Sequence, residues 1–119
     1  SNVVSLHLPL TNDTHHLIDA ASIDLLPDGA ILVNASRGGI IDEDAAYAAL
    51  KKGKLAGLGL DAFEVEPPTA SPLFELDNVI VTPHTGAHTK EATDNMAHAS
   101  IQNLIDVLSG KECPYIVNN

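Results

Sequence analysis

The chain has 119 residues, 45% of them hydrophobic and 18% charged, with no Trp, two Tyr and two Phe, so it amounts to one domain around an aliphatic core and leaves no room for a second. Six basic against sixteen acidic side chains give a formal charge of −10, which repels phosphate backbones and anionic membranes and excludes a nucleic-acid partner. No apolar run approaches the ~20 residues that span a bilayer and no basic-then-apolar leader opens the chain, so a cytoplasmic protein is expected.

Val3-Val4-Ser5-Leu6-His7-Leu8 reads as a strand ended by Pro9, and Thr11 to Thr14 as a loop. A short helix follows, capped by Asp19 or Ser22 and stopped by the turn Pro27-Asp28-Gly29 before a second strand, Ala30 to Ala35. After Gly38-Gly39, Asp42 can accept from the unpaired N–H groups that open a helix. Glu43 and Asp44 suit its positive end, and Ala45 to Lys52 carry it to Gly53 with Lys51 and Lys52 at the negative end. Leu55 to Phe63 is the third strand, thinned by Gly57 and Gly59 so that something can approach its backbone. Pro67-Pro68 to Asp77 is a loop and Val79 to Thr82 the fourth strand. Thr89 caps a last helix running to Gly110, in which Met96, Ala97, Ile101, Leu104, Ile105 and Leu108 recur at three-to-four spacing. Apolar strands separated by helices make this an α/β fold, a parallel sheet with flanking helices on both faces.

In open parallel sheets ligands bind outside the carboxyl ends of the strands, and three of those ends carry chemistry. Ile31-Leu32-Val33 delivers Asn34-Ala35-Ser36-Arg37-Gly38-Gly39, Leu58-Gly59-Leu60 delivers Asp61 and then Glu66, and Val79-Ile80-Val81 delivers Thr82, Pro83 and His84. Arg37 offers a planar fork that matches a carboxylate with two parallel bonds, or is an ordinary loop arginine. Gly38 and Gly39 suit a backbone that must bend or admit a ligand. His84 follows Pro83, which holds Thr82 extended, and precedes the small residues Thr85-Gly86-Ala87, over which a flat ring could lie. It could exchange a proton near neutral pH, with Glu66 as the carboxylate that favours the imidazolium and orients the ring, or it is a buried structural histidine. Asp61 is either an acceptor supporting another site residue or the residue that binds the N–H groups of a turn. His15 and His16 lie in a polar loop, His7 on a strand, His88 before a helix and His98 within one, and no metal-ligand spacing emerges. The single Cys113 can form no internal disulfide and lacks neighbours that would activate it.

Several segments in order carry a family resemblance: Leu8-Pro9-Leu10-Thr11 with Thr14, Asn34 through Gly39 with Asp42, and Gly57 through Asp61-Ala62-Phe63 to Glu66-Pro67. Ser71-Pro72-Leu73 and Asn78-Val79 through Thr82-Pro83-His84 complete it. With these the chain, from about Val3 to Asn118, resembles the D-isomer-specific 2-hydroxyacid dehydrogenases, which include 3-phosphoglycerate dehydrogenase, glyoxylate and hydroxypyruvate reductases, D-lactate dehydrogenase and formate dehydrogenase. The resemblance implies hydride transfer between NAD(H), or NADP(H), and C2 of a small 2-hydroxy or 2-oxo acid, with 3-phosphoglycerate favoured slightly. It implies that Arg37 holds the substrate's carboxylate and carbonyl oxygen, that His84 exchanges the proton of that oxygen and that Glu66 pairs with His84. It also places the cofactor along Leu8, Pro9, Thr14, Ala35, Ser36, Arg37, Asp61, His84, Gly86 and Ala87, with Asp61 receiving the nicotinamide carboxamide.

The family's Gly-x-Gly-x-x-Gly turn, which offers backbone N–H groups and a helix dipole to the pyrophosphate, and the ribose selector about 20 residues beyond it have no counterpart here. The expectation is therefore the second half of a Rossmann-type dinucleotide-binding domain. Residues 1–119 would form the partial NAD(P)-binding domain, without the upstream Gly-rich half, a substrate domain or an appended regulatory domain, and would be inactive in isolation. An open strand edge and an uncovered apolar face predict association, as a homodimer or with a complementary upstream fragment. Two rivals have other functions: a non-catalytic, corepressor-like interaction protein on the same fold, and a flavodoxin-like or receiver-like binding domain, whose phosphate site would follow the first strand, where Thr11 to Thr14 offers a poor one.

Overall fold

A computed structural model describes residues 1–117, so the resemblance at Asn118 lies outside the described residues. The chain divides into two compact units, residues 1–85 and a second beginning at Gly86. The first holds four parallel strands in the order β1-β2-β3-β4: β1 (Val3–Leu6), β2 (Ala30–Asn34), β3 (Leu55–Leu60) and β4 (Val79–Val81). Helices α1 (Ala20–Asp24) and α2 (Glu43–Lys51) make the first two crossovers, and a 3₁₀ turn, Pro72–Glu75, lies in the third.

Side chains alternate across a strand, so the register Val4, Leu32, Leu58, Val79 sets one face of the sheet. On that face Leu6, Ala30, Leu32, Leu55, Leu58 and Leu60 are buried with Ile23 of α1, Ala46, Ala49 and Leu50 of α2, and Leu73 of the 3₁₀ turn. The opposite face carries Val3, Ile31 and Ile80, which are 58%, 39% and 75% exposed. Within this unit the sheet is covered on one face; its apolar strands imply cover on both, and the bare one is the uncovered apolar face expected of a half-domain. The reason is topological: strand order advances in one direction, and right-handed crossovers then place every connection on the same side. Covering the other face takes a reversal of strand order.

Local signals set the element ends. Asp19 caps α1 by accepting from Ser22 N–H at 2.8 Å, and Asp42 caps α2 by accepting from Ala45 N–H at 2.9 Å. Ser71 accepts from Leu73 N–H at 3.3 Å and so starts the 3₁₀ turn inside the expected loop, where Leu73 is fully buried. The strands are shorter than their apolar runs, because β1 releases His7 and Leu8, and β3 stops at Leu60, before Asp61-Ala62-Phe63.

The second unit contains α3 (Lys90–Leu108), capped by Thr89, whose hydroxyl accepts from Ala92 N–H at 3.1 Å. None of its residues is buried, and Met96, Ile101, Leu104, Ile105 and Leu108 are all exposed. No helix among the described residues is long and apolar enough to cross a membrane.

Candidate active site

At the end of β2, Asn34 is 1% exposed and builds the turn that carries Arg37. Its Oδ1 accepts from the Ser36 N–H at 3.1 Å and the Ser36 hydroxyl at 2.7 Å, while its amide donates to the Arg37 carbonyl at 2.7 Å. The Arg37 guanidinium donates to the Ser36 carbonyl at 2.7 Å, and among the described residues no carboxylate pairs with it within 4.0 Å. Gly39 then turns the chain with φ +77°. Gly38 serves a different purpose: a Cβ there would stand 1.8 Å from the Phe63 carbonyl oxygen, so the close approach is made by the chain's own loop.

Asp61, at the end of β3, is 8% exposed. Its Oδ1 accepts from the Thr82 hydroxyl at 2.5 Å, the Thr85 N–H at 2.8 Å and the Thr85 hydroxyl at 3.3 Å. Asp61 therefore does bind a turn, and that turn straddles His84. Pinned on both sides, His84 adopts φ +52° and donates its N–H to the Thr82 carbonyl at 3.0 Å. A non-glycine residue pays roughly 1–2 kcal/mol for that left-handed conformation, and such strain persists where surrounding bonds dictate it.

The His84 side chain is 45% exposed, which removes the buried structural reading. Its Nδ1 lies 2.9 Å from Glu66 Oε2 and 3.1 Å from Oε1, and Glu66 Oε1 also accepts from the Phe63 N–H at 3.0 Å. These bonds, that to His84 first, and the charges of His84 and Arg37 hold the Glu66 carboxyl below the usual range. With Nδ1 committed to the carboxylate, Nε2 has no hydrogen-bond partner among the described residues and is the nitrogen left to exchange a proton with a ligand.

Arg37, Glu66 and His84 meet in a cleft of about 280 Å³, lined also by Leu10, Gly38, Phe63 and Glu64. A second cleft of about 470 Å³ continues from Arg37 along Ser36, Leu8 and Pro9, with His7 and Leu10. An apolar pocket of about 530 Å³, with Phe63, Phe74, Pro67 and Val81 in its wall, adjoins the Glu66–His84 pair. Of the remaining expected residues, Thr14 is engaged locally, its hydroxyl donating to the Pro9 carbonyl and accepting from the Thr11 N–H, both at 2.7 Å. Ala35 is exposed at the end of β2, and Gly86 and Ala87 open the second unit. No group of three or more His, Cys, Asp or Glu side chains among the described residues could hold a metal ion.

The 470 Å³ cleft bears on a dinucleotide. In a chain with sixteen acidic side chains its lining contains none, and it presents an apolar Leu8-Pro9 wall and the permanent positive charge of Arg37, beside a Ser36 hydroxyl whose hydrogen goes to Asn34. That donor set fits an anionic ligand with flat rings.

One cluster escaped the reading of the sequence. His16, also at positive φ (+50°), stacks on His15 at 3.9 Å between centroids. It places Nε2 3.0 Å from Glu64 Oε1 and Nδ1 3.9 Å from Asp42 Oδ2. Burial, the largest influence, pushes the neighbouring Glu43 carboxyl up. The only local signal was the proximity of Glu64 to Glu66; His16 looked like part of a polar loop.

Comparison with known proteins gives a consistent picture. Residues 1–86 match the model of the D-isomer specific 2-hydroxyacid dehydrogenase NAD-binding domain. The chain is 45% identical over 118 residues to a glyoxylate reductase of Thermococcus litoralis, covering 99% of this chain and 36% of that one. It is 46% identical over 118 residues to a D-3-phosphoglycerate dehydrogenase of Methanocaldococcus jannaschii, covering 99% and 22%. Among solved structures, D-lactate dehydrogenase from Aquifex aeolicus in complex with NAD and lactic acid superposes with a TM-score of 0.84 at 36% identity, covering 92% of this chain and 38% of that one. The chain thus spans about a third or less of the length of these curated relatives.

Proposed function

We propose a reaction from one premise: this chain belongs to the D-isomer specific 2-hydroxyacid dehydrogenases, whose NAD-binding domain its first 86 residues match. The reaction is the interconversion of a D-2-hydroxy acid and its 2-oxo acid. NAD, when bound, supplies or accepts the hydride at C2, and Leu8, Pro9, Ser36 and Arg37 would hold it. Everything else falls to the chain's own side chains. Arg37 receives the substrate carboxylate in its donor fork, which fixes C2 beside the imidazole. His84 gives a proton from Nε2 to the C2 oxygen on reduction and takes it back on oxidation. Glu66 holds the ring from Nδ1, and Asp61 keeps the turn around His84 through Thr82 and Thr85.

The observation that carries this reading is the meeting, in one cleft, of a guanidinium with no carboxylate within 4.0 Å among the described residues and a Glu66–His84 pair bonded at 2.9 Å. The substrate class is that of the acids named for the relatives, glyoxylate, lactate and 3-phosphoglycerate. We further propose that this cytoplasmic enzyme works as a dimer and that these 119 residues are one part of it, inactive alone. The bare sheet face of Val3, Ile31 and Ile80 supports a packing partner there. The test is turnover of short 2-oxo acids with NADH by the polypeptide that carries this chain with the rest of its relatives' length. His84→Ala should lower kcat by ~10²–10⁴-fold, the usual worth of a general acid. An unchanged rate would overturn the mechanism.

A further inference from the structure

The Glu66–His84 pair is only as well placed as the loop that bears Glu66, and that loop has few anchors. Between β3 and the 3₁₀ turn, residues 62–70 make no backbone-to-backbone hydrogen bond to the rest of the first unit among those described. Glu66 reaches His84, and otherwise folds back onto the Phe63 N–H of its own loop. Among the described residues, every other hydrogen bond from this segment to a neighbouring loop runs through Glu64. Its N–H donates to Glu43 Oε1 at 2.7 Å, and its own Oε1 accepts from the Glu43 N–H at 3.1 Å. The two residues thus form a reciprocal bracket across the first turn of α2. The same Oε1 lies 3.0 Å from His16 Nε2, in the loop that follows β1. His16 is fixed in turn, its backbone N–H donating to the Gly39 carbonyl at 2.7 Å.

We propose that Glu64 is a positioning residue for the Glu66–His84 pair: it ties the loop after β3 to the loops after β1 and β2, and so holds the Glu66 carboxylate at the imidazole. The inference rests on the proposed reaction for its purpose, but its geometry is independent of turnover. Glu64 also lines the cleft, yet its Oε1 is already engaged by Glu43 and His16, which fits a bracket better than a ligand contact. Phe63, 6% exposed and edge-on to Phe74 at 5.9 Å, is the competing anchor. Apolar packing of that kind is non-directional and does not fix where a carboxylate two residues on will point.

The experiment follows the side-chain carboxyl carbon of Glu66 by NMR as this chain is titrated, in the wild type, Glu64→Ala and Glu64→Gln, with the methyl spectrum as a check on folding. The charged groups facing Glu66 are His84, Arg37 and Glu64. Removing the negative charge of Glu64 without moving anything would lower the Glu66 midpoint, because a like charge disfavours ionisation. Displacing the loop does the opposite, since Glu66 loses the hydrogen bond that holds it down. Positioning therefore predicts an upward shift in Glu64→Ala and, from the lost charge alone, a small downward one in Glu64→Gln, whose amide oxygen still accepts from the Glu43 N–H. A downward or absent shift in the alanine variant overturns the proposal. Should Glu64→Ala not fold, Glu43→Ala opens the other arm of the bracket and must give the same upward shift, and its failure to do so overturns the proposal equally. The predicted upward shift in this chain, together with no turnover of 2-oxo acids by the full-length polypeptide, would instead count against the reaction alone.

Discussion

Replacing Gly38 with alanine should be among the most damaging single-methyl additions in this chain. The new Cβ would lie 1.8 Å from the Phe63 oxygen, 2.1 Å from the Phe63 carbonyl carbon and 2.7 Å from the Glu64 nitrogen. All three are backbone atoms, so no side chain can rotate out of the way. To bring the nearest contact from 1.8 Å out to 3.0 Å the loop must retreat by at least 1.2 Å. That exceeds the slack in the Glu43–Glu64 bracket, whose bonds are 2.7 and 3.1 Å long. Overpacking costs about 1–3 kcal/mol and two lost hydrogen bonds add about 1 kcal/mol each, giving roughly 3–5 kcal/mol in total. Gly29→Ala is the control. Gly29 has nothing within 4 Å of its would-be Cβ but sits at φ +78°, so it should lose only ~1–2 kcal/mol for left-handed backbone. Urea unfolding of the two variants beside the wild type decides the matter. If Gly38→Ala costs no more than Gly29→Ala, the loop is not clamped as described.

Asp61→Ala removes the acceptor of the Thr82 hydroxyl and of the Thr85 N–H and hydroxyl; stranding partly buried donors should cost about 1–3 kcal/mol in urea unfolding, and a loss within error would deny Asp61 its hold on the turn. Glu66, with its carboxyl lowered by His84 and Phe63, contributes stability that is present above its unfolded-state pKa and lost as pH falls through the folded value. Glu66→Gln should accordingly be less stable than wild type at neutral pH and converge with it in acid, as thermal unfolding across pH will reveal. Glu43 is shifted the other way by burial, so Glu43→Gln should gain stability at neutral pH, with the gain fading as pH falls through the raised folded value and gone below the ordinary carboxylate range; a loss at neutral pH would show that its charge favours the fold.

What could be read from the sequence was local. Asp19, Asp42 and Thr89 were identifiable as caps because each bonds an N–H three residues away, and the existence and order of the strands followed from their apolar runs, although β1 and β3 end before those runs do. Arg37, Glu66 and His84 were legible because each follows such a run by a few residues. That an apolar face would lie uncovered was expected of a half-domain; which face it is was not legible, since that arises from strand order and not from any strand's composition. The role of Gly38 was half legible: close approach was expected, but of a ligand, whereas the partner is Phe63, 25 positions away along the chain. Least visible was the tie from His16 to Glu64, 48 residues apart, which exists only because parallel strands bring all their carboxyl-end loops to one edge.

The central claim is that a hydride passes to C2 of a substrate held by Arg37 and protonated by His84. The direct measurement gives the complete polypeptide glyoxylate, pyruvate or hydroxypyruvate with NADH deuterated at the transferring carbon, and examines the product by mass spectrometry and chiral separation. The predicted product of pyruvate or hydroxypyruvate carries deuterium at C2 in the D configuration, and glyoxylate gives labelled glycolate. Product without deuterium at C2, or of the L configuration, would contradict the account.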